Sequence, residues 1–352
     1  MSCRPFAAAL AARTAPLLAA PLLTALLALA PASAQAQQIV IELDEERAAQ
    51  LGLDTGALEG DLREQMDGQL RLDEVDQFLR QMGAANMTAS RGMGADYASN
   101  PQRFVLGGGV GTAVNSAGLR FGKGSEGMPA GGFAFQAALL AGINLGIASK
   151  EESALRRFVL YVDGLVAETN PEPFHASTTN LGTHLQIKLA RPKPAKGLLE
   201  WGGLDLTGGY EWSRYRLELA QELPVLAENL TWEADGELAV ITDSASVPIE
   251  LSTNLRFFII SAFFGAAADV ALDSSTDLEM SLSGPILVDT NGGRENLGSA
   301  TVSLERAGII EGVTPRLFAG AQVNIFFVKA YGQVNVGLND SFGGHIGGRI
   351  AM

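Results

Sequence analysis

With 352 residues, a formal charge of −14, 47% hydrophobic residues and only 18% charged ones, the chain is too apolar for a disordered tail and too acidic for a nucleic-acid binder. A single cysteine, Cys3, and three histidines exclude a disulfide framework, a thiolate zinc site and a histidine-based metal cluster, so no cofactor or metal is expected.

Residues 1–34 have the three parts of a secretory signal peptide. Arg4 and Arg13 form a positive n-region, residues 15–30 (APLLAAPLLTALLALA) an apolar h-region broken by Pro16 and Pro21, and Ala32-Ser33-Ala34 an A-x-A cleavage site. Cys3 precedes the h-region and is not placed as a lipoprotein acylation site. Cleavage after Ala34 would leave 23 basic against 39 acidic residues, a charge of −16. No later run reaches the ~18 consecutive apolar residues of a membrane helix. The compartment is then the periplasm, the exterior or an outer membrane.

Residues 35–102 read as an acidic helical segment with a connector. Between 42 and 80 stand twelve acidic residues against Arg47, Arg63, Arg71 and Arg80. Leu62, Met66 and Leu70, then Val75, Phe78, Leu79 and Met82, recur at helical spacing and predict one or two short amphipathic helices. Residues 83–102 (GAANMTASRGMGADYASNPQ) are small, polar and Gly-punctuated, as a connector is.

From Arg103 to Met352 the period changes to two. Val328, Ala330, Gly332, Val334, Val336 and Leu338 share one face, and Lys329, Tyr331, Gln333 and Asn335 the other. Similar alternation marks 181–189, 249–257, 313–325 and 344–352. A soluble β-sandwich alternates too. Three features favour a membrane barrel: strands of roughly ten to thirteen residues, few charges on the watery face, and aromatics at strand ends such as Phe257, Phe258, Phe326 and Phe327. Strands are expected near 103–112, 132–147, 157–166, 180–190, 202–219, 247–259, 261–272, 276–283, 297–306, 313–325, 326–338 and 342–352. The fold class is thus all-β, a transmembrane antiparallel barrel of about 12 strands (10–14) after a short helical segment. Residues 228–242, also strand-like, are assigned to an extracellular hairpin, because an odd strand cannot close such a barrel.

On these residues the chain resembles the β-barrel outer-membrane proteins of Gram-negative bacteria. That class usually ends in an aromatic residue, whereas this chain ends Arg349-Ile350-Ala351-Met352. The resemblance implies outer-membrane lipid and lipopolysaccharide as surroundings and the barrel-assembly machinery as a partner. A shorter similarity, over Ser90 to Pro101 (SRGMGADYASNP), is to the hatch of long-chain fatty-acid and hydrophobic-compound transporters, where a small-residue run ends in Asn-Pro.

Chemical motifs are sparse. Gly107-Gly108-Gly109-Val110-Gly111-Thr112 lacks the Lys-Ser/Thr of a phosphate loop, and Asp289-Thr290-Asn291-Gly292-Gly293 with Glu295 lacks EF-hand spacing. His175-Ala176-Ser177 resembles the His-x-Ser arrangement of some outer-membrane lipid hydrolases, but Pro171 and Pro173 predict a loop there, so no enzyme and no catalytic residue is expected. The candidate site is instead a lumen lined by Arg103, Arg157, Lys188, Arg256, Arg316, Lys329, Arg349, Glu250 and Asp163, acting as a charge filter. Six cations (Arg103, Arg157, Lys188, Arg256, Lys329, Arg349) gather at the predicted periplasmic mouth. The acidic segment is expected to dock there as a hatch, burying Leu62, Met66, Val75, Phe78 and Leu79. Passage of small solutes, apolar or anionic, is the first functional reading. The alternative is a surface scaffold or adhesin presenting loops at 113–131, 167–179 and 220–246 to a surface ligand.

Overall fold

The computed structural model describes residues 36–70, 75–115, 131–149, 153–170, 174–191, 198–227, 230–290, 293–309 and 312–352. The expected signal peptide, residues 1–34, lies outside the described residues. Twelve strands form one antiparallel sheet: β1 (Ala36–Leu43), β2 (Phe104–Asn115), β3 (Gly132–Asn144), β4 (Phe158–Thr169), β5 (Phe174–Ala190), β6 (Leu199–Ala227), β7 (Leu230–Phe257), β8 (Ile260–Thr290), β9 (Gly293–Ile309), β10 (Val313–Ile325), β11 (Val328–Gly337) and β12 (Ser341–Ala351). Three helices lie between β1 and β2: α1 (Glu45–Gln50), α2 (Thr55–Leu70) and α3 (Val75–Ser90).

Ten of these strands close a ring. The order β8-β10-β11-β12-β2-β3-β4-β5-β6-β7 returns to its start because β7 also pairs with β8. Side chains alternate across this wall as the period-2 pattern predicts. Leu106, Leu139, Leu181, Leu251, Leu317 and Ile346 face outward and exposed, while Gln136, Gln186, Asn254, Arg316, Asn335 and His345 are buried inside. A wall of large aliphatic side chains turned outward is stable only against hydrocarbon, since each would forfeit its transfer free energy in water. The molecule is therefore a transmembrane β-barrel, as its sequence predicts.

Three corrections concern the strands. The segment expected as a separate hairpin is, from residue 230 to 242, the first half of β7: it pairs with residues 215–227 of β6 and is continuous with 247–257. The stretches 261–272 and 276–283 likewise join into the single strand β8. The need for an even closed count does not apply to them, because these halves rise beyond the ring. There β8 exchanges β10 for β9 as its neighbour, with Ser275 to Thr290 paired to β9 and Val270 and earlier residues to β10. A bulge at Leu272 on β8, opposite the Ala245–Ser246 step of β7, marks the level of this change. The upper halves of β6, β7 and β8, with β9 and β1, make a blade that the sequence did not announce. The third correction is β1 itself, a strand within the segment read as helical; α3 also runs to Ser90, further than its apolar spacing suggested.

Under the blade lies the larger apolar core, where Trp232, Leu278, Leu282 and Leu304 meet α2 and α3. At the other end the turns are tight. β7 passes to β8 through Phe258 and Ile259, β10 to β11 through Phe326 and Phe327, and Met352 O accepts hydrogen bonds from Gln102 and Arg103 N at 2.9 and 2.7 Å.

The ring seals between its first and last strands, where β12 pairs with β2 over a glycine-rich register. The gap left by these glycines is filled from the inside by the Tyr331 ring. A Cβ on Gly347 would stand 2.6 Å from Tyr331 Cε1 and 2.5 Å from Gly108 O. Arg349 lies 3.8 Å above the same ring. Substituting Gly347→Ala is expected to push Tyr331 off the seam at a cost of about 1–3 kcal/mol, read as a lower temperature for the heat-shifted gel mobility of the folded barrel.

Candidate functional site

The lumen is occupied. Residues 81–98 are buried without interruption, and their contacts descend the ring in chain order. Near the blade, Phe133 N approaches Met82 Sδ at 3.3 Å. Asn86 then donates to Ser213 Oγ at 3.0 Å and accepts from Gln136 Nε2 at 2.6 Å. His345 Nε2 lies 2.8 Å from Ala89 O, and Asn144 Nδ2 donates to Pro101 O at 3.2 Å beside the tight turns. Small side chains suit this path: Gly83, Ala84, Ala85 and Ala89 keep α3 thin enough for ten strands to surround it. At Gly94 a Cβ would lie 2.2 Å from His184 Nε2.

Charges fix the segment in place. Arg91 pairs with Glu211, stands 3.0 Å by its Nε from Asp269 Oδ1, and donates to Ser246 Oγ at 2.6 Å. Arg316 bridges Asp269 at 3.0 Å and Glu250 at 2.6 Å, and Glu250 accepts from Tyr97 OH at 2.6 Å. Asp96 meets Arg349 at 2.9 Å. His184 Nε2 lies between Asp163 at 3.2 Å and Glu211 at 3.4 Å. Nearer the tight turns the Tyr97 ring packs against Phe263 and Phe318, with centroids 5.7 and 4.9 Å away. Buried ions of this kind are tolerated only when each has a partner, and here the partners come from both the wall and the threaded segment.

The predicted site residues divide accordingly. Arg316, Arg349, Glu250, Asp163 and Lys188 are buried inside the ring, Lys188 opposite Asp205 on β6. Lys329 donates to Phe326 O at 2.7 Å, and Arg256 is half-buried. Arg103 and Arg157 are exposed at the tight-turn rim rather than buried inside the ring; both precede the first inward position of their strands. Leu62, Met66, Val75, Phe78 and Leu79 come together, buried, in the core under the blade. They do not meet the rim arginines, because the chain traverses the lumen before entering β2, which leaves α1 and α2 at the far end. Among the described residues, the acidic segment's ion pairs to the blade strands are Asp76 with Arg306 at 3.3 Å and Arg47 with Glu295 at 2.5 Å.

Sequence reasoning missed Asn86, Arg91, Asp96, Glu211 and Asp269. Its one available signal was the isolated Arg91 and Asp96 within a run of small residues. Two of the predicted loops are also strands: residues 174–179 belong to β5 and most of 220–246 to β6 and β7, while 116–130 lies outside the described residues. His175 hydrogen-bonds Asn170 rather than Ser177, on the strand β5. On the blade's outer face, burial and then the carboxylates of Asp243 and Glu279 push the Asp277 pKa up.

Apolar without, charged within and filled by its own N-terminal segment, the molecule is a β-barrel of the outer-membrane type. The chain belongs to the Lsa36-like family, whose model matches residues 33–352. No curated protein matches it. Similar solved structures include the translocator domain of the autotransporter NalP from Neisseria meningitidis (11% identity, 87% of this chain and 100% of that one, TM-score 0.28). Others are the Acinetobacter baumannii outer membrane protein Omp33 (12%, 72% and 99%, 0.25) and the Pseudomonas putida toluene transporter TodX (9%, 78% and 98%, 0.20). At such scores these likenesses carry no argument about what this chain does.

The Asp96–Arg349 pair offers a direct check on the threaded segment. Asp96→Ala is expected to cost about 3–5 kcal/mol by leaving Arg349 buried and unpaired, while Asp96→Ala with Arg349→Met costs clearly less. Thermal unfolding in detergent measures both.

Proposed function

We propose that this protein is a surface scaffold: a barrel in the outer membrane of a Gram-negative envelope that holds the blade outside the cell and keeps its own lumen shut. The observation carrying this reading is the path of the chain. Residues 36–70 build onto the blade, residues 75–101 descend through the ring, and only then does the wall begin. Barrels of this class keep short turns on the periplasmic side and long excursions on the outer side. On that orientation the tight turns at Phe258 and Phe326 face the periplasm and the blade faces the exterior. Export by cleavage of residues 1–34 and insertion by the barrel-assembly machinery into a lipopolysaccharide-bearing membrane fit the same scheme. The surface ligand would then meet the blade.

A second reading, passage of small apolar or anionic solutes, has one observation in its favour. The polar contacts that hold the threaded segment to the wall are ion pairs and hydrogen bonds, all of them reversible. If it withdrew, Lys188, Arg316, Lys329 and Arg349 would line the opening as a cationic filter, with residues 75–101 as the hatch.

Two measurements separate these. An epitope inserted at Gly52, whose φ of +72° and open surroundings suit a turn, should be stained on intact cells. Staining only after permeabilisation would overturn the surface reading. In planar bilayers the full chain is expected to be silent. Steady anion-preferring current from the Arg91→Ala/Asp96→Ala variant would favour passage, and continued silence the scaffold.

A further inference from the structure

The tight-turn rim is uneven. On one side the hairpin tips are wholly apolar, Phe258 and Phe326 standing 75% and 89% exposed. Across the ring the rim is cationic. Arg156 and Arg157 end a 3-10 helix (Ala154–Arg157) that leads into β4, and Arg191 directly follows β5. The β4–β5 register, with Phe158 opposite Ile187, brings these two stretches side by side. Burial, and then the charge of Arg157, pull the Arg191 pKa down; Asp205 opposes this, and Arg156 adds to the fall. Arg156 spends one N–H on Ser149 O at 3.2 Å, and among the described residues no carboxylate lies within ion-pair range of the three. Nearby in sequence, Lys193 and Lys196 follow Arg191 and Glu151 and Glu152 precede Arg156, all outside the described residues.

Such crowding of like charge is unfavourable without a counterion, and it occurs in a chain of net charge −14. What lies immediately beside it narrows the choice of counterion. Leu155 and Leu189 are exposed at the level of the arginines, and two rows further into the wall Ile143, Leu160 and Leu185 stand opposite one another on β3, β4 and β5, all turned outward. The cations thus sit where the lipid-facing belt meets water. A soluble anion would use the charge and leave this aliphatic strip unused; a lipid uses both.

We propose that Arg156, Arg157 and Arg191 bind the headgroup of an anionic phospholipid in the leaflet at the tight-turn end, with its acyl chains lying on Leu155, Leu160, Leu185 and Leu189. The three guanidinium groups supply forked donors for the phosphate oxygens, which lysines would meet only as point charges. The site is distinct from the lumen and independent of which functional reading holds.

The test uses the mature full-length protein in nanodiscs of phosphatidylglycerol and phosphatidylcholine, with retained lipids counted by native mass spectrometry. Wild type should keep phosphatidylglycerol in preference to phosphatidylcholine, and each Arg→Gln change should weaken that preference by roughly fivefold. The triple variant Arg156→Gln/Arg157→Gln/Arg191→Gln should lose it while keeping the heat-shifted mobility of a folded barrel. If the triple variant does not fold, Arg157→Gln alone and wild type in high salt give the same reading, each expected to reduce the preference. Equal retention of both lipids by wild type, or an unchanged preference in the folded variants, would overturn the proposal. So would full displacement of phosphatidylglycerol by inorganic phosphate, which would assign the arginines to a free anion.

Discussion

A closed ring with an apolar outer wall must put its polar side chains inside, and buried charge is costly unless every ion is paired. That constraint organises the molecule. Arg316, Glu250 and Asp269 on the wall do not balance by themselves, and neither do Asp163, His184 and Glu211. The threaded segment links both sets through Arg91, which pairs with Asp269 of the first and Glu211 of the second, and its Asp96 answers Arg349. The lumen and the N-terminal segment are therefore one structure: removing either leaves the other with ions that have lost their partners. Tyr97 packs with Phe263 and Phe318 in a second buried apolar cluster at the tight-turn end.

The second organising fact is that β7 and β8 are longer than the membrane requires, at 28 and 31 residues. Their lower halves serve the ring and their upper halves the blade, with the same hydrogen-bonded ladder running through both. The change of neighbour on β8, from β10 to β9, is what separates a membrane wall from a domain with a water-facing surface. The buried faces change sense at that level: inward residues are polar in the ring, as Ser252 and Asn254 are, and apolar in the blade, as Trp232 and Val240 are. One strand thus obeys two solvents in turn.

This reversal explains what could and could not be read from the sequence. Alternation at 326–338 and 342–352 announced β11 and β12, because a strand between lipid and a polar lumen shows both faces plainly. Residues 228–242 alternate as clearly, yet their apolar face packs against helices rather than lipid, and period alone does not tell these apart. β1 is eight residues long and its pairing with β9 lies more than 250 residues away in sequence, so no local signal marks it. The helical spacing of Leu62, Met66, Val75, Phe78 and Leu79 correctly named a buried face. What it concealed was the direction of the chain: attraction between the acidic helices and the rim arginines suggested docking at that mouth, and the decisive contacts are instead single ions, Arg91 and Asp96, in a run of small residues.

The central claim is that residues 75–101 run through the ring in the folded protein. The mature chain is expected to lack cysteine, so an introduced pair can be followed without interference. Thr88 on α3 and Gly343 on β12 are suitable, since a Cβ at 343 would lie 3.0 Å from Thr88 Cγ2, close to disulfide geometry. Oxidation of the Thr88→Cys/Gly343→Cys variant in cells should give a cross-linked form in most of the heat-modifiable, folded population. A folded population that stays reduced, with both thiols open to a membrane-impermeant reagent, would contradict the account.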